Sequence, residues 1–573
     1  MNMLNEPGLI ASETTSPSNL LTGNLPLLAG APNGVQKLRK LILELAVRGK
    51  LVPQDPSDEP ASELLKKIIK ENSQSLKRGA ANERTLPAAI DEAAFPYETA
   101  SNWLWIKLGD IALIERGGSP RPIKDYLTES PDGLNWIKIS DTDKGGKYIT
   151  SSREKIRREG LAKTRMVYPG DFLLTNSMSF GRPYITQIAG CIHDGWLRIS
   201  PPSLLVKDYL YLLLSSPYVY GFFVQAAAGA VVLNLNADKV RELPVPIPPL
   251  AEQHRIVAKV DELMALCDRL EAQQADAESA HARLVQALLD SLTQASDADD
   301  FAASWKRLAE HFHTLFTTES SIDALKQALL QLAVMGKLVP QDPSDEPAAE
   351  LLKHIAKKKA QLITEGKIKK QKPLVEISQE EKPFNLPKGW EWARFGNICS
   401  ISSELVRPED FPELRQVAPD CIEKGTGLLT ERRTVKESGV KGPNNRFYAG
   451  QIIYSKIRPS LSKAVLVDFE GLCSADMYPL DVFIDPQFLL NEILSEVFLR
   501  QVRIAENRIK MPKLNKESLA SFVLPIPPLL EQHRIVNKIY QIVTLCNQLK
   551  GHIRLVQQVQ VRLTNALVEQ AVA

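Results

Sequence analysis

The 573-residue sequence predicts an α+β protein with a pseudo-twofold internal repeat, in which two alike helical frames carry two unlike inserts. Three observations lead to that class. Gly49-Lys50-Leu51-Val52-Pro53-Gln54-Asp55-Pro56-Ser57-Asp58-Glu59-Pro60-Ala61 recurs unchanged from Gly336 to Ala348, thirteen consecutive identities at an offset of 287. A second motif, Pro246-Ile247-Pro248-Pro249-Leu250 followed by Glu252-Gln253-His254-Arg255-Ile256-Val257, recurs at an offset of 279 as Pro525–Leu529 and Glu531–Val536. The segments between the two motifs differ by eight residues in length and differ in sequence. Solenoid repeats run about 20–50 residues, so this is another kind of repeat. It is the pattern of a duplication in which the frame was kept and the inserts diverged.

The elements follow in chain order. Residues 1–33 are rich in Ser, Thr, Pro and Leu without a clear period, and a poorly ordered arm is expected there. The first frame segment, 34–102, holds an apolar-rich helix from Val35 to Val47 that stops at Gly49, a C-cap glycine, and a further helix from Glu59 to Ile69. The first insert, T1, spans 103–245 and opens on Trp103-Leu104-Trp105; the second, T2, spans 390–524 and opens on Trp390-Glu391-Trp392. The central frame, 246–389, begins with a proline-stiffened extended stop. A long helix follows, with apolar residues at Ile256, Val260, Leu263, Cys267, Leu270, Ala277, Leu284 and Leu288, interrupted by Gln274 and His281. Steps of four and three make a heptad seam. At about 1.5 Å per residue, 256–288 spans about 50 Å. Phe301, Trp305, Leu308, Phe312 and Phe316 predict an additional amphipathic helix in the linker; Ile322–Val334, stopping at Gly336, and Glu346–Ile355 repeat the first frame's helices. The last frame, 525–573, carries the same seam through Ile535, Ile539, Ile542, Cys546, Leu549, Ile553, Val556, Leu563 and Leu567, with Gln560 polar. Such a seam must be buried, so paired antiparallel helices are expected. If each long helix packs on the frame helices of the other motif, the two chain ends must meet.

Composition narrows the function. Apolar residues make up 44% and charged residues 24%, with a net charge of +2 and pI near 8.0, ordinary values for a globular protein. Six cysteines (Cys191, Cys267, Cys399, Cys421, Cys473, Cys546) with no Cys-x-x-Cys pair argue against a disulfide framework and a usual structural zinc, and fit a reducing cytoplasm. No signal-peptide pattern opens the chain. The most apolar stretch, Tyr220–Leu235, is about 16 residues long and contains Gln225 and Asn234; a spanning helix needs about 20, so a buried segment is expected. No phosphate-loop motif, no Asn/Asp-Pro-Pro-Tyr methyltransferase site and no glycine-rich cofactor loop is present; Ser200-Pro201-Pro202-Ser203 lacks the aromatic, and Gly145-Gly146 reads as a turn. His311 and His313 read as helix-surface residues, and His254 and His533, duplicated with the frame, as structural.

Paired Pro-Ile-Pro-Pro-Leu-x-Glu-Gln-His-Arg-Ile-Val motifs, each after a divergent insert of about 140 residues, resemble the specificity subunit of Type I restriction–modification systems. The duplicated Gly-Lys-Leu-Val-Pro-Gln-Asp motif and the Trp-x-Trp openings fit the same family, and the likeness covers nearly the whole chain after residue 34. The resemblance implies two mixed α/β target-recognition domains, each reading one half of a split sequence in double-stranded DNA, separated by a coiled-coil frame of paired helices. It implies two modification subunits that bring S-adenosylmethionine to an adenine in each half, and restriction subunits that complete an ATP- and Mg-dependent nuclease. It implies no catalysis and no cofactor in this chain, a cytoplasmic location and no membrane contact.

DNA contacts are expected where basic and short polar groups gather. T1 has Arg153, Lys155, Arg157, Arg158, Lys163 and Arg165 ahead of Tyr168-Pro169-Gly170-Asp171, then a polar loop with Asn176, Ser177, Ser179 and Arg182. T2 has Arg432, Arg433, Lys436, Lys441 and Arg446 ahead of Tyr448-Ala449-Gly450-Gln451, then Lys456, Arg458 and Ser460. Lys and Arg neutralise phosphates, whereas forked or short polar groups read base edges. Asn234 and Asn236 in T1, and Arg508, Lys510, Lys513 and Asn515 in T2, are later candidates. The plainer reading makes each run a solvated loop, and the lysines from Lys357 to Lys372 a solvated helix end with DNA phosphate as the sharper alternative. A repeat-built protein-interaction scaffold without DNA binding is the rival function; a stand-alone methyltransferase is opposed by the missing motifs.

Overall fold

A computed structural model describes residues 25–76, 90, 95–143, 145–176, 180–227, 234–296, 298–370, 372–506 and 512–572. They form two compact units. One comprises the chain up to Asp276 together with Val556 onward; the other comprises Ala277–Leu555.

The first unit begins earlier than expected. The arm expected over residues 1–33 lies outside the described residues as far as residue 24, but Leu25–Gly30 is a helix, and its Leu28 and Ala29 are buried in the core. The helix Gly34–Val47 follows, then Ala61–Leu76. T1 contributes β1 (Leu104–Lys107), β2 (Leu113–Arg116), β3 (Leu127–Thr128), β4 (Leu134–Ile137), β5 (Tyr148–Ile149), β6 (Glu154–Ile156), β7 (Arg165–Val167), β8 (Phe172–Thr175), β9 (Pro183–Thr186), β10 (Gly190–Ile192), β11 (Trp196–Ser200) and β12 (Pro244–Ile247). Two five-stranded sheets, β3-β6-β4-β10-β7 and β2-β11-β8-β9-β5, make its body, and β1 pairs with β12 at its base. The apolar stretch from Tyr220 begins inside the helix Pro217–Ala226, which buries Val219 and Phe223; residues 228–233 lie outside the described residues.

In the second unit, T2 contributes β13 (Glu391–Arg394), β14 (Cys399–Ile401), β15 (Leu405–Val406), β16 (Arg415–Val417), β17 (Arg433–Thr434), β18 (Asn444–Phe447), β19 (Ile452–Ser455), β20 (Ala464–Leu466), β21 (Gly471–Ser474), β22 (Met477–Val482) and β23 (Val523–Ile526). Its sheets are β14-β22-β19-β20 and β15-β18-β21-β16-β17, with β13 paired to β23 at the base. The two inserts therefore share a core despite their unlike sequences. In T1, β10 lies antiparallel to β7 and parallel to β4, which pairs with β6; in T2, β21 lies antiparallel to β18 and parallel to β16, which pairs with β17. The expected linker helix forms over Ala298–Glu310, and burial of Leu308 and Phe316 ties the linker to the unit's core.

Two 44-residue helices, Leu250–Thr293 and Leu529–Val572, complete the chain. In the first, Ile256, Val260, Leu263 and Cys267 are buried as the heptad predicts. The predicted seam then fails: Ala277 and Leu284 are exposed, and Val285, Leu289 and Leu292 are buried instead. In the second helix Ile535, Ile539 and Cys546 are buried, whereas Val556 and Leu563 are exposed. The reason is that each helix serves two cores. The first half of Leu250–Thr293 packs into the core of the first unit, and Val285 onward packs with Leu325, Leu329 and Leu332 in the second. A stripe that answers to two different partners need not hold one phase. The expected meeting of the chain ends occurs within the first unit, where Lys37 Nζ donates to Asn565 Oδ1 at 2.7 Å and Lys50 Nζ to the Val572 carbonyl at 3.0 Å.

Candidate nucleic-acid interface

The two repeated motifs meet at the base of each insert and explain their own repetition. In the first unit, Glu252 is fully buried; its carboxylate accepts from Trp103 Nε1 at 2.9 Å and Gln54 Nε2 at 2.7 Å. Arg255 donates both terminal nitrogens to Asp58, at 3.1 and 2.7 Å. Gln253 Oε1 accepts from Val206 N at 3.0 Å, and its Nε2 donates to the Pro248 carbonyl at 3.0 Å. The second unit has the same set. Glu531 accepts from Trp390 at 3.0 Å and Gln341 at 3.2 Å, Arg534 donates to Asp345 at 3.2 and 2.5 Å, and Gln532 joins Asp485 N to the Pro527 carbonyl. One motif supplies the glutamate, glutamine and arginine, the other the second glutamine and the aspartate, and the insert supplies the tryptophan. Desolvation raises the pKa of both glutamates despite these donors. His254 and His533 lie at the helix start and are exposed, with His533 Nε2 3.4 Å from Asp485 Oδ2.

Beyond this base each insert carries the predicted order of turn, strand and loop along the chain. The Tyr168–Asp171 turn has Gly170 at φ 96° and closes through Tyr168 N to Asp171 Oδ2 at 2.9 Å; the Tyr448–Gln451 turn has Gly450 at φ 87° and closes through Tyr448 N to Gln451 Oε1 at 2.8 Å. Each leads into a fully buried strand, β8 or β19, and then into the loop that precedes β9 or β20.

The basic residues of T1 lie along β6, the 3₁₀ turn Arg158–Lys163 and β7. Arg153, Arg157 and Arg158 are exposed, with Arg153 3.9 Å from Asp141. Lys155 Nζ donates to the Pro131 carbonyl at 3.2 Å, Lys163 Nζ to Tyr126 Oη at 2.9 Å, and Arg165 pairs with Glu115 at 3.6 Å. Arg182 is half-buried over the Tyr184 ring, 5.5 Å from its centroid. Asn176 is not at the surface: it is 2% exposed, and its Nδ2 donates to the Asp194 carbonyl at 2.7 Å. Ser177 and Ser179 lie outside the described residues. Asn234 is exposed, and Asn236 Oδ1 caps the helix Ala237–Arg241.

In T2, Lys436 and Lys441 are exposed, as is Arg432, whose guanidinium sits 5.7 Å from the Phe469 ring centroid. Arg433 and Arg446 are engaged internally, the former with Asp420 at 2.9 Å, the latter with Glu470 and 5.0 Å over the Phe411 ring. Lys456 donates to the Ala475 carbonyl at 2.7 Å. Arg458 is exposed at φ 44° and Ser462 lies at φ 49°, two left-handed non-glycine residues flanking the turn Pro459–Leu461. Residues rarely adopt this conformation without being held there. Arg458 N donates to the Pro512 carbonyl at 2.8 Å, and exposed Ser460 donates its N–H to Glu506 at 2.9 Å. Lys513 pairs with Asp476 at 3.3 Å, Asn515 caps the helix Lys516–Ser521, and Arg508 and Lys510 lie outside the described residues.

Elsewhere Lys357 and Lys358 are exposed, but they lie inside the helix Ala348–Thr364 rather than at its end as expected, and Lys359 is drawn inward to the Gly396 and Cys399 carbonyls at 2.5 and 3.1 Å, where burial lowers its pKa. Among the described residues no helix is long and apolar enough to cross a membrane, and no group of His, Cys, Asp and Glu is placed to hold a metal ion. Sequence reasoning missed the Trp–Glu–Gln base, whose signal was the duplication itself.

A family model described as "Type I restriction modification DNA specificity domain" matches residues 100–278 and 387–556. The chain is 35% identical over 571 residues to the Type I restriction enzyme EcoAI specificity subunit of Escherichia coli, covering 94% of each chain. It is 35% identical over 572 residues to the EcoEI specificity subunit of the same organism, again covering 94% of each. Among solved structures it is similar to the HsdS subunit from Thermoanaerobacter tengcongensis at 17% identity, covering 83% of this chain and 98% of that one, with a TM-score of 0.40.

Proposed function

Because this chain belongs to the family of Type I restriction–modification DNA specificity subunits, we propose that it is the sequence-reading scaffold of such a complex. T1 and T2 each read one half of a bipartite target. The observation that carries this reading is the pairing of unlike with alike: two inserts of different sequence but shared strand arrangement, each seated on the same Trp–Glu–Gln base. Such a design changes what is read without changing how the reader is held.

The contacts proposed for T1 run along Arg153, Lys155, Arg157, Arg158, Lys163 and Arg165, with Arg182 and the loop holding Ser177 and Ser179. In T2 they run along Arg432, Lys436 and Lys441 and the loop of Lys456, Arg458 and Ser460, where Arg458 is exposed on a left-handed backbone tied to the Pro512 carbonyl. Asn176, Arg433 and Arg446 are better explained as positioning residues, because their polar atoms face internal partners.

The long helices would form the coiled-coil frame of the pseudo-twofold molecule and fix the separation of the half-sites. At about 1.5 Å per residue, 44 residues span about 66 Å. Modification subunits, two in number, would dock on the frame. Val556, Val559 and Leu563, spaced along one helix face and 56%, 55% and 47% exposed, offer an apolar stripe for that contact. Methyl transfer from S-adenosylmethionine and ATP- and Mg-dependent cleavage would belong to the partner subunits, in the cytoplasm, and this chain would perform no chemistry. A scaffold without DNA binding is not favoured, since the family is one of DNA specificity.

Co-expression with candidate modification subunits, followed by mapping of methylated adenines in host DNA, tests the proposal. A split motif with one modified adenine in each half is the expected result. A complex that methylates no split motif would sink the half-site reading.

A further inference from the structure

The segment Gly117–Lys124, between β2 and β3, belongs to neither repeated motif and lies outside the basic run. Two glycines set its course. A Cβ on Gly117 would stand 2.2 Å from the His193 carbonyl oxygen, and one on Gly118 would stand 2.5 Å from the Lys163 carbonyl oxygen. Both obstacles are backbone, which no rotamer change relieves. Gly117 N donates to the Trp196 carbonyl at 2.9 Å, and Gly118 N to the Ile192 carbonyl at 3.2 Å. The loop is thereby pinned between the β10–β11 connection and the basic turn Arg158–Lys163. On the same side, Lys163 reaches back to Tyr126 Oη at 2.9 Å.

Beyond the glycines the loop turns its cations outward. The Arg121 side chain is 82% exposed, and its ion pair with Asp194 Oδ2 is long, at 3.5 Å. Asp194 already accepts from Ser119 Oγ at 2.8 Å. Lys124 is exposed and has no ion-pair partner among the described residues. The loop walls an open cavity of about 910 Å³ that also meets Trp136, Lys138, Glu154 and His193. Lys138 and Glu154, 2.6 Å apart, place a donor and an acceptor in its lining.

We propose that Ser119–Lys124 is a second DNA-contacting element of T1, with Arg121 and Lys124 meeting the half-site duplex beside the basic turn. The proposal rests on the reading of T1 as a half-site reader. Charge complementarity carries it. Duplex DNA bears one negative charge per roughly 1.7 Å of axis, and exposed cations without strong internal partners are the ones that displace its counterions. Arg165 is less free, since its side chain is 52% exposed against 82% for Arg121 and also donates to the Thr164 carbonyl at 3.0 Å. The forked guanidinium of Arg121, itself part of the cavity lining, also suits a guanine edge.

The test uses the full chain with Arg121→Ala and Lys124→Ala together, assembled with its modification subunits. Binding to a duplex carrying the methylated split motif is titrated at several salt concentrations, and methylation is mapped. Two lost phosphate contacts flatten the slope of log affinity against log salt by about two. The expected result is that flattening, affinity at least tenfold weaker in low salt, and an unchanged T2 half of the motif. An unchanged slope with relaxed base preference in the T1 half also supports the element, with Arg121 reading a base. Wild-type affinity, slope and motif in the variant overturn it. If the double variant melts earlier than the wild type, Lys124→Gln alone, at an exposed position, is titrated instead and flattens the slope by about one. A wild-type assembly that binds no duplex would instead remove the half-site reading on which the proposal stands.

Discussion

Glu492 is the residue least at home in this protein. It is fully buried in the helix Pro486–Ile493, neither carboxyl oxygen has a partner among the described residues, and desolvation raises its pKa well above 4.5. At the frame offset of 279 its counterpart is Leu213, also fully buried. Glu492→Leu is therefore expected to stabilise the chain by about 1–3 kcal/mol in urea unfolding, the usual cost of unsatisfied buried polar atoms. The pH dependence follows from the same burial. The folded carboxyl keeps its proton where the unfolded one, near 4.5, has lost it, so its contribution is fully present below that value and declines as pH rises toward the folded pKa. Glu492→Leu should flatten that decline, and an unfolding series from about pH 4 to pH 8 checks it. Trp390→Phe tests the opposite case. It removes the indole N–H that Glu531 accepts at 3.0 Å, leaving a buried carboxylate oxygen unpaired, and should cost about 1–3 kcal/mol by the same measurement.

Among the elements, the frame helices end by one rule twice. Gly49 and Gly336 lie at φ 70° and 72°, and in each case the following lysine closes the turn, Lys50 N onto Leu45 O and Lys337 N onto Leu332 O, both at 2.9 Å. This is the left-handed glycine cap expected of the sequence. The surroundings differ, however. A Cβ on Gly336 would stand 2.4 Å from Pro387 Cγ, whereas one on Gly49 would meet the Trp103 ring at 3.1 Å. Gly336→Ala should thus destabilise more than Gly49→Ala, both losing at least about 1 kcal/mol from the left-handed backbone alone. Parallel denaturation of the two variants decides the order. The long helices show how an element can be right in kind and wrong in detail. Glu271–Leu284 forms helix with no buried residue, so its Ala-rich sequence rather than packing favours it there.

For the whole molecule the prediction concerns exchange. Because each insert closes on its own base through the same frame residues, replacing T2 by the insert of a relative, cut between Trp390 and Val523, should alter one half of the methylated motif and leave the other half as it was. Methylation mapping of the chimera is the check. A change in both halves would mean that the two inserts do not read independently.

The sequence by itself determined the repeat, both glycine caps, the start of each long helix and the order of Tyr-x-Gly turn, strand and loop in each insert. These are written in local signals: identities at a fixed offset, caps, prolines, and alternation within a few residues. Tertiary structure alone decided which face of each long helix is buried beyond its midpoint, since Val285 rather than Leu284 meets the helix Glu319–Val334. It alone turned Asn176 inward and Arg121 outward, and it joined Glu252 to Trp103 and Gln54 across 149 and 198 residues. The physical reason is common to all three. A polar side chain's role depends on whether water or a distant backbone satisfies it, and that choice is made only when segments far apart in the chain come into contact.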